Sequence, residues 1–218
     1  MPILAQHVID YLEALKAERS EVMLEMEEIA TRDNVPIVHW QTGRLLAILV
    51  RALATERVLE VGTAIGYSAL HMAEAMGTGR ILTLERDPRR AAQARALLDR
   101  SGVGSRVEIV EGDALATLPT LEGPFGLAFL DATKTEVEPY LELIEPLLSP
   151  RGLVVIDNLL MFGEVALPAD AETFWDEDAL DAARAVNVEL QRSERWLGVV
   201  LPVGDGVGLA VRRGQRGG

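Results

Sequence analysis

The chain has no cysteine, which excludes disulfides and thiolate metal sites and fits a cytoplasmic home. No basic region followed by an apolar core opens the sequence, so no signal peptide is expected. No apolar run approaches the length that spans a bilayer, and no membrane partner is expected. An excess of positive charge is missing too: 21 basic residues face 34 acidic ones, for a net charge of −13. A field of that sign opposes long-range steering of nucleic acid. One stretch runs against it, with Arg86, Arg89, Arg90, Arg95, Arg100 and Arg106, and reads first as a solvated helix face. Repeats, low-complexity runs and dividing linkers are also lacking. What remains is 218 residues, 49% hydrophobic and 25% charged, enough for one sizeable domain. We expect that domain over 1–213, with N-terminal helices to 55, a ligand-binding sheet over 56–213, and a flexible tail over 214–218.

Two further signatures fail at the stretch that organises the rest, residues 57–68. Val58, Leu59 and Val61 suit a strand covered on both faces. Gly62 and Gly66 then allow a tight turn and close approach to a ligand. A helical apolar pattern follows at Leu70, Ala73 and Met76. Strand, glycine turn and helix in that order form the nucleotide-binding corner of open α/β sheets. Yet Ala64 and Tyr67 break the Gly-x-Gly-x-x-Gly fingerprint, and no Gly-Lys-Ser/Thr follows Gly66. The acid Glu60 at the strand end would repel a phosphate and suits a cationic ligand. S-adenosylmethionine, with a sulfonium, an ammonium and no phosphate, meets that requirement. A glycine turn without any ligand stays open at this point.

Taken in order, residues 3–33 predict two helices, from Val8, Leu12 and Leu15 and then Met23, Met26 and Ile29. A third runs from Gln41 to Ala54. After the strand at Arg57, others are expected at 81–84, 107–110, 127–130 and 153–156. Helices are expected from Asp87-Pro88, a good N-cap and first position, and over 137–148. Residues 159–181 read as irregular and acidic, with helix returning near 182–190. Strands at 197–201 and 207–212 flank the turn Pro202–Gly206. This alternation predicts an α/β doubly wound, mostly parallel, seven-stranded Rossmann-like sheet with an antiparallel C-terminal edge strand and extra N-terminal helices.

Acids or amides end one strand after another: Glu60, Glu85, Asp113 after Gly112, Asp131, and Asp157-Asn158. In this topology those ends converge on one crevice. Five in succession exceed what capping needs, because mutual repulsion calls for cationic partners. A cationic cofactor and a bound metal would supply them. Taken singly, Asp131 could serve the cofactor alone, Asp157-Asn158 could be a turn, and Lys134 a solvated helix-start lysine.

Val58–Ser68, Glu85, Gly112-Asp113-Ala114, Asp131-Ala132-Thr133-Lys134, Asp157-Asn158 and Pro202–Gly206 together resemble the cation-dependent O-methyltransferases of the caffeoyl-CoA and catechol type. The resemblance covers about residues 34–213. It implies that Glu60, Gly62 and Ser68, with Thr63 and Tyr67, hold the methionine end of S-adenosylmethionine. It implies that Glu85 and Arg86 serve the ribose side and Asp113 and Ala114 the adenine. Asp131, Asp157 and Asn158 would bind a divalent cation (Mg, Ca or Mn), with Asp131 also touching the cofactor. Lys134 would be the general base. The acceptor implied is a small hydroxylated, catechol-like aromatic, and the assembly a homodimer. Three departures bear on the acceptor: Thr133 where many members have Asp, Val137 where tyrosine is common, and Phe162 in place of a basic residue. Residues 60–69 and Glu85-Arg86-Asp87 also resemble bacterial enzymes that methylate 5-hydroxyuridine in tRNA, which is the alternative reading. A non-catalytic S-adenosylmethionine-binding protein is a third.

Overall fold

Val58 and Leu59 point to opposite faces of one strand, and each meets its own apolar layer. The computed structural model describes residues 4–168 and 170–214. In chain order the helices and strands are α1 (Gln6–Ala14), α2 (Glu21–Asp33), α3 (Trp40–Ala52), β1 (Arg57–Val61), α4 (Tyr67–Met76), β2 (Arg80–Glu85), α5 (Pro88–Arg100), β3 (Val107–Glu111), α6 (Ala114–Thr117), β4 (Phe125–Leu130), α7 (Val137–Ile144), β5 (Leu148–Ile156), α8 (Glu177–Arg192), β6 (Trp196–Leu201) and β7 (Val207–Arg212). The seven strands form one sheet in the order β3-β2-β1-β4-β5-β7-β6. The first five are parallel, and β7 runs antiparallel to both β5 and β6. The doubly wound, mostly parallel sheet with an antiparallel C-terminal edge is therefore what the chain forms.

One face packs Val58, Ile81, Leu127, Phe129 and Val155 under α2, α3, α4 and α5. The other packs Leu59, Leu84, Ala128, Leu130, Val154 and Ile156 under α7 and α8. Strands buried on both faces need apolar residues at successive positions, which is why β4 and the end of β5 read as unbroken hydrophobic runs. The caps follow their chemistry. Asp87 accepts from Arg89 N at 2.8 Å with Pro88 next, and Ser20 caps α2 through Met23 N.

Several boundaries differ from expectation. The helix from Val137 ends at Ile144, because Pro146 sits in a 3-10 turn and β5 already starts at Leu148. The last helix starts at Glu177, not near 182: Asp176 precedes it, and Glu177 and Asp178 are favourable first-turn acids rather than loop residues. The one-turn helix α6, capped by Asp113, was not anticipated. Residues 215–218 of the expected tail lie outside the described residues. Among the described residues no helix is long and apolar enough to cross a membrane.

Candidate active site

The parallel ladder continues one residue beyond the strands. Gly62 N donates to Leu84 O at 3.0 Å, Asp131 N to Val61 O at 2.9 Å, Asp157 N to Leu130 O at 3.0 Å, and Gly112 N to Glu85 O at 2.9 Å. This register sets Gly112, Glu85, Gly62, Asp131 and Asp157 side by side along one edge, about 4.8 Å from strand to strand. Gly62 can only be glycine: its φ is +102°, and a Cβ would lie 2.1 Å from Asp131 O.

A cavity of about 280 Å³ opens over this edge. Gly62, Glu85, Arg86, Asp113, Ala114 and Asp131 line it, which brings together most of the cofactor set expected from sequence. Glu85 is anchored rather than free to swing. Its Oε2 accepts from Ala64 N at 2.8 Å and its Oε1 from Asp87 N at 2.9 Å. Asp113 Oδ1 accepts from Leu115 N at 2.7 Å and Ala116 N at 3.2 Å, so it caps α6 while facing the cavity.

Glu60, Thr63 and Ser68 form a layer behind the glycine turn. Glu60 is fully buried and accepts from Ser68 Oγ and Thr83 Oγ1, both at 2.5 Å, while Thr83 and Thr63 share a hydrogen bond of 2.6 Å. Burial pushes the Glu60 carboxyl up to about 7, with Asp131 and Glu85 adding repulsion and the two hydroxyls working against it. Tyr67 faces elsewhere. It lies in the layer under α2, where its phenol donates to Glu27 Oε1 at 2.6 Å and its ring stands edge-on to His71. The helix turn that aims Ser68 at Glu60 turns Tyr67 away from the cavity.

Beyond Asp131 the edge becomes an acid cluster around one lysine. Asp157 is fully buried; its Oδ1 accepts from Asn158 N at 2.9 Å, and its Oδ2 has no hydrogen-bond partner among the described residues. Burial raises the Asp157 carboxyl, and Asp131 raises it further; burial also raises Asp131, opposed by Lys134. Burial pulls the Lys134 ammonium down, opposed by Asp131, Asp157 and Asp205, and its Nζ donates to Ala132 O at 3.2 Å. Asn158 takes a left-handed φ of +55°, which an asparagine tolerates. Met161 and Phe162 follow with φ of +46° and +58°, strained for such side chains. Among the described residues, no group of three or more His, Cys, Asp or Glu side chains is arranged to hold a metal. The set expected from sequence contains only two such residues, with Asn158 as the third.

A second cavity of about 480 Å³ touches this cluster from the other side, through Asp205. Leu4, Ile9, Leu12, His39 and Phe162 give it largely apolar walls, so α1 forms part of its roof. Asp131 lines the first cavity and Asp205 the second, and both act on the charge of the buried Lys134.

A model of the O-methyltransferase family matches residues 13–213. The chain belongs to that family. A catechol O-methyltransferase of Mycobacterium tuberculosis is 40% identical over 150 residues, which are 68% of this chain and 66% of the relative, just under two thirds of its length. Two solved structures are similar throughout. The SAH-bound Podospora anserina methyltransferase PaMTH1 superposes with a TM-score of 0.84 at 29% identity, covering 98% of this chain and 99% of its own. The O-methyltransferase TomG of Streptomyces achromogenes, in complex with SAM, gives 0.82 at 28%, covering 95% and 96%.

Three residues that line the two cavities were not among the site residues expected from sequence. Arg90 and Tyr140 line the first cavity, and the Tyr140 hydroxyl donates to Glu136. Asp205 is 3% exposed, accepts from Phe162 N, and lies in the field of His39, Lys134 and Asn158, with burial raising its carboxyl. Its signal was present, as an acid inside the Pro202–Gly206 turn, but a turn aspartate is ordinary. Several of the stretch's arginines are engaged by the protein itself, mostly at its surface. Arg95 pairs with Glu111 at 2.6 Å, Arg100 with Glu25 at 2.5 Å, and Arg106 donates to Ala73 O at 2.7 Å. Arg86 and Arg90 face the cavity.

Proposed function

We propose that the enzyme transfers a methyl group from S-adenosylmethionine to a hydroxyl of a small, catechol-like aromatic, with a divalent cation at Asp131, Asp157 and Asn158. The observation that carries the metal half is Asp157 Oδ2, a fully buried carboxylate oxygen with no hydrogen-bond partner beside a second acid. Leaving such a group unpaired costs about 1–3 kcal/mol or more. Two carboxylates and an amide oxygen form a hard donor set that fits Mg²⁺, Ca²⁺ or Mn²⁺. A cation bound there would make a neighbouring substrate hydroxyl easier to deprotonate.

The chain's own groups then have separable tasks. Glu85, fixed by two backbone N–H donors, offers its remaining lone pairs to ribose hydroxyls. Asp113 and Ala114 hold the adenine side, and the buried Glu60 gives the methionine end a negative background through Ser68. Lys134 Nζ, with its proton affinity lowered by burial, takes the hydroxyl proton. The apolar walls under α1 hold an aromatic ring and exclude water. The catechol activity of the Mycobacterium relative supports that acceptor class. The net charge of −13 weighs against tRNA, and Arg95 and Arg100 are already paired with acids at the surface.

The test is methyl transfer to catechol, with added Mg²⁺ or with chelator. Turnover should fall to background in chelator and return with the metal; undiminished turnover in chelator refutes the metal role. Asp157→Asn should lower kcat on the order of a hundredfold or more, with the S-adenosylmethionine Kd nearly unchanged.

A further inference from the structure

A third cavity, of about 570 Å³, lies between the segment before α2, the exposed side of α3 and the second half of α4. It shares no lining residue with the two cavities of the active site. Its charge is opposite to that of the molecule. Lys16, Arg19, Arg44 and Arg51 line it against the acids Glu18 and Glu74, in a protein of net charge −13. Burial raises the Glu74 carboxyl, opposed by Ser20.

The four cations are not equivalent. Lys16 and Arg19 already hold Glu27 Oε2, at 3.5 and 2.6 Å. The side chains of Arg44 and Arg51 make no hydrogen bond or ion pair among the described residues, although both line the cavity. They stand seven residues apart on α3, two turns and about 10 Å along the same face, within reach of a common ligand. The rest of the wall is apolar: Met23, Ala47, Ala75, and Ile48, which is 58% exposed. Trp40 adds an aromatic side.

His71 forms part of the lining where α3 presses on α4. A Cβ on Gly43 would lie 2.5 Å from His71 Cδ2, so only glycine permits this approach. Burial pulls His71 down to about 4, with Arg44 lowering it further. It is therefore neutral at physiological pH, and its Nε2 has no partner among the described residues. Positive charge in the cavity comes from the lysine and arginines alone.

We propose that this cavity is a second ligand site, for a small organic phosphate with an apolar body. Guanidinium forks match phosphate oxygens with paired charge-assisted hydrogen bonds, and a dianion can engage both arginines. The apolar wall then covers the remainder of the ligand. The volume suits a molecule of a few rings or a short chain.

Calorimetry on the full chain tests this, with phenyl phosphate as the probe and phenol as the uncharged comparator. One phenyl phosphate should bind per chain, and phenol should bind at least about tenfold more weakly. Arg44→Ala and Arg51→Ala should each weaken phenyl phosphate by about tenfold or more, with catechol methylation unchanged. Both side chains are exposed, so the variants should fold; far-UV circular dichroism checks this. Ile48→Glu, also at an exposed position, should weaken binding by placing an acid on the wall. No binding to the folded wild-type chain overturns the proposal, as does undiminished binding in the Arg44→Ala, Arg51→Ala double variant. So does a dimer in sedimentation that Ile48→Glu splits while phenyl phosphate fails to bind, which would assign this face to a subunit contact.

Discussion

Replacing Glu60 with glutamine should remove a pH-dependent penalty from the ligand-free fold. Glu60 is fully buried and its carboxyl is raised from 4.5 to about 7. Between those values the folded chain holds a proton that the unfolded chain has released. Stability from this group is therefore fully present below about pH 4.5 and lost as pH rises through about 7. Each pKa unit is worth about 1.4 kcal/mol, so the loss between about pH 5 and about pH 8 amounts to about 2.5 kcal/mol. Glutamine keeps the shape and can still meet Ser68 and Thr83, whose hydroxyls rotate between donating and accepting. Urea unfolding of wild type and Glu60→Gln at the two pH values checks this. Other carboxylates contribute to both proteins and largely cancel in the difference. The stability of the variant relative to wild type should rise by about 2.5 kcal/mol from the lower pH to the higher. Parallel pH profiles for the two proteins would refute the reasoning, whatever their offset, because a constant offset reports packing and not ionisation.

Gly62→Ala should cost more than about 2 kcal/mol of stability and abolish S-adenosylmethionine binding, since its Cβ would lie 2.1 Å from Asp131 O at a φ of +102°; normal calorimetric binding would contradict the role of that close approach. Asp205→Asn should lower kcat for catechol by about tenfold or more while leaving the S-adenosylmethionine Kd within about threefold, because Asp205 borders the cavity proposed for the acceptor and not the first one. An equal loss in both quantities would show that Asp205 supports the whole edge and not the acceptor side.

How far the sequence carried depends on the distance over which each feature is determined. The five parallel strands were legible because burial on two faces forces apolar runs such as Phe129-Leu130 and Val154-Val155-Ile156. The acids at their ends were legible because a parallel ladder sets strand ends level without further information. The direction of the Tyr67 phenol was not legible, because adjacency to Ser68 in sequence is not adjacency in space on a helix. The hydroxyl at 68 reaches Glu60, and the phenol at 67 reaches Glu27 on another helix. The place of Asp205 beside Asp157 was not legible for the opposite reason, although its turn was. Only the antiparallel pairing of β7 with β5, with Gly208 beside Ile156, brings the turn before β7 against the residues after β5. A non-local register of that kind has no local signature.

The same ladder explains why the site is electrostatically uncomfortable when empty. Glu60, Asp131, Asp157 and Asp205 all have raised carboxyls, and burial is the first cause in each. Lys134 is the opposing charge among them, and burial lowers it as well. Local hydrogen bonding does not account for Asp157, whose Oδ2 has no partner among the described residues. The cost is tolerable because two apolar layers secure the sheet on either side. A cationic cofactor near Glu60 and Asp131, and a cation at Asp157, would each relieve part of it. Their binding should therefore be mutually favourable: each neutralises repulsion that the other must otherwise oppose. S-adenosylmethionine should bind more tightly with Mg²⁺ present, and by reciprocity Mg²⁺ more tightly with the cofactor present. Calorimetric titrations in both orders measure that coupling, and its absence would mean that the two halves of the acid row are screened from one another.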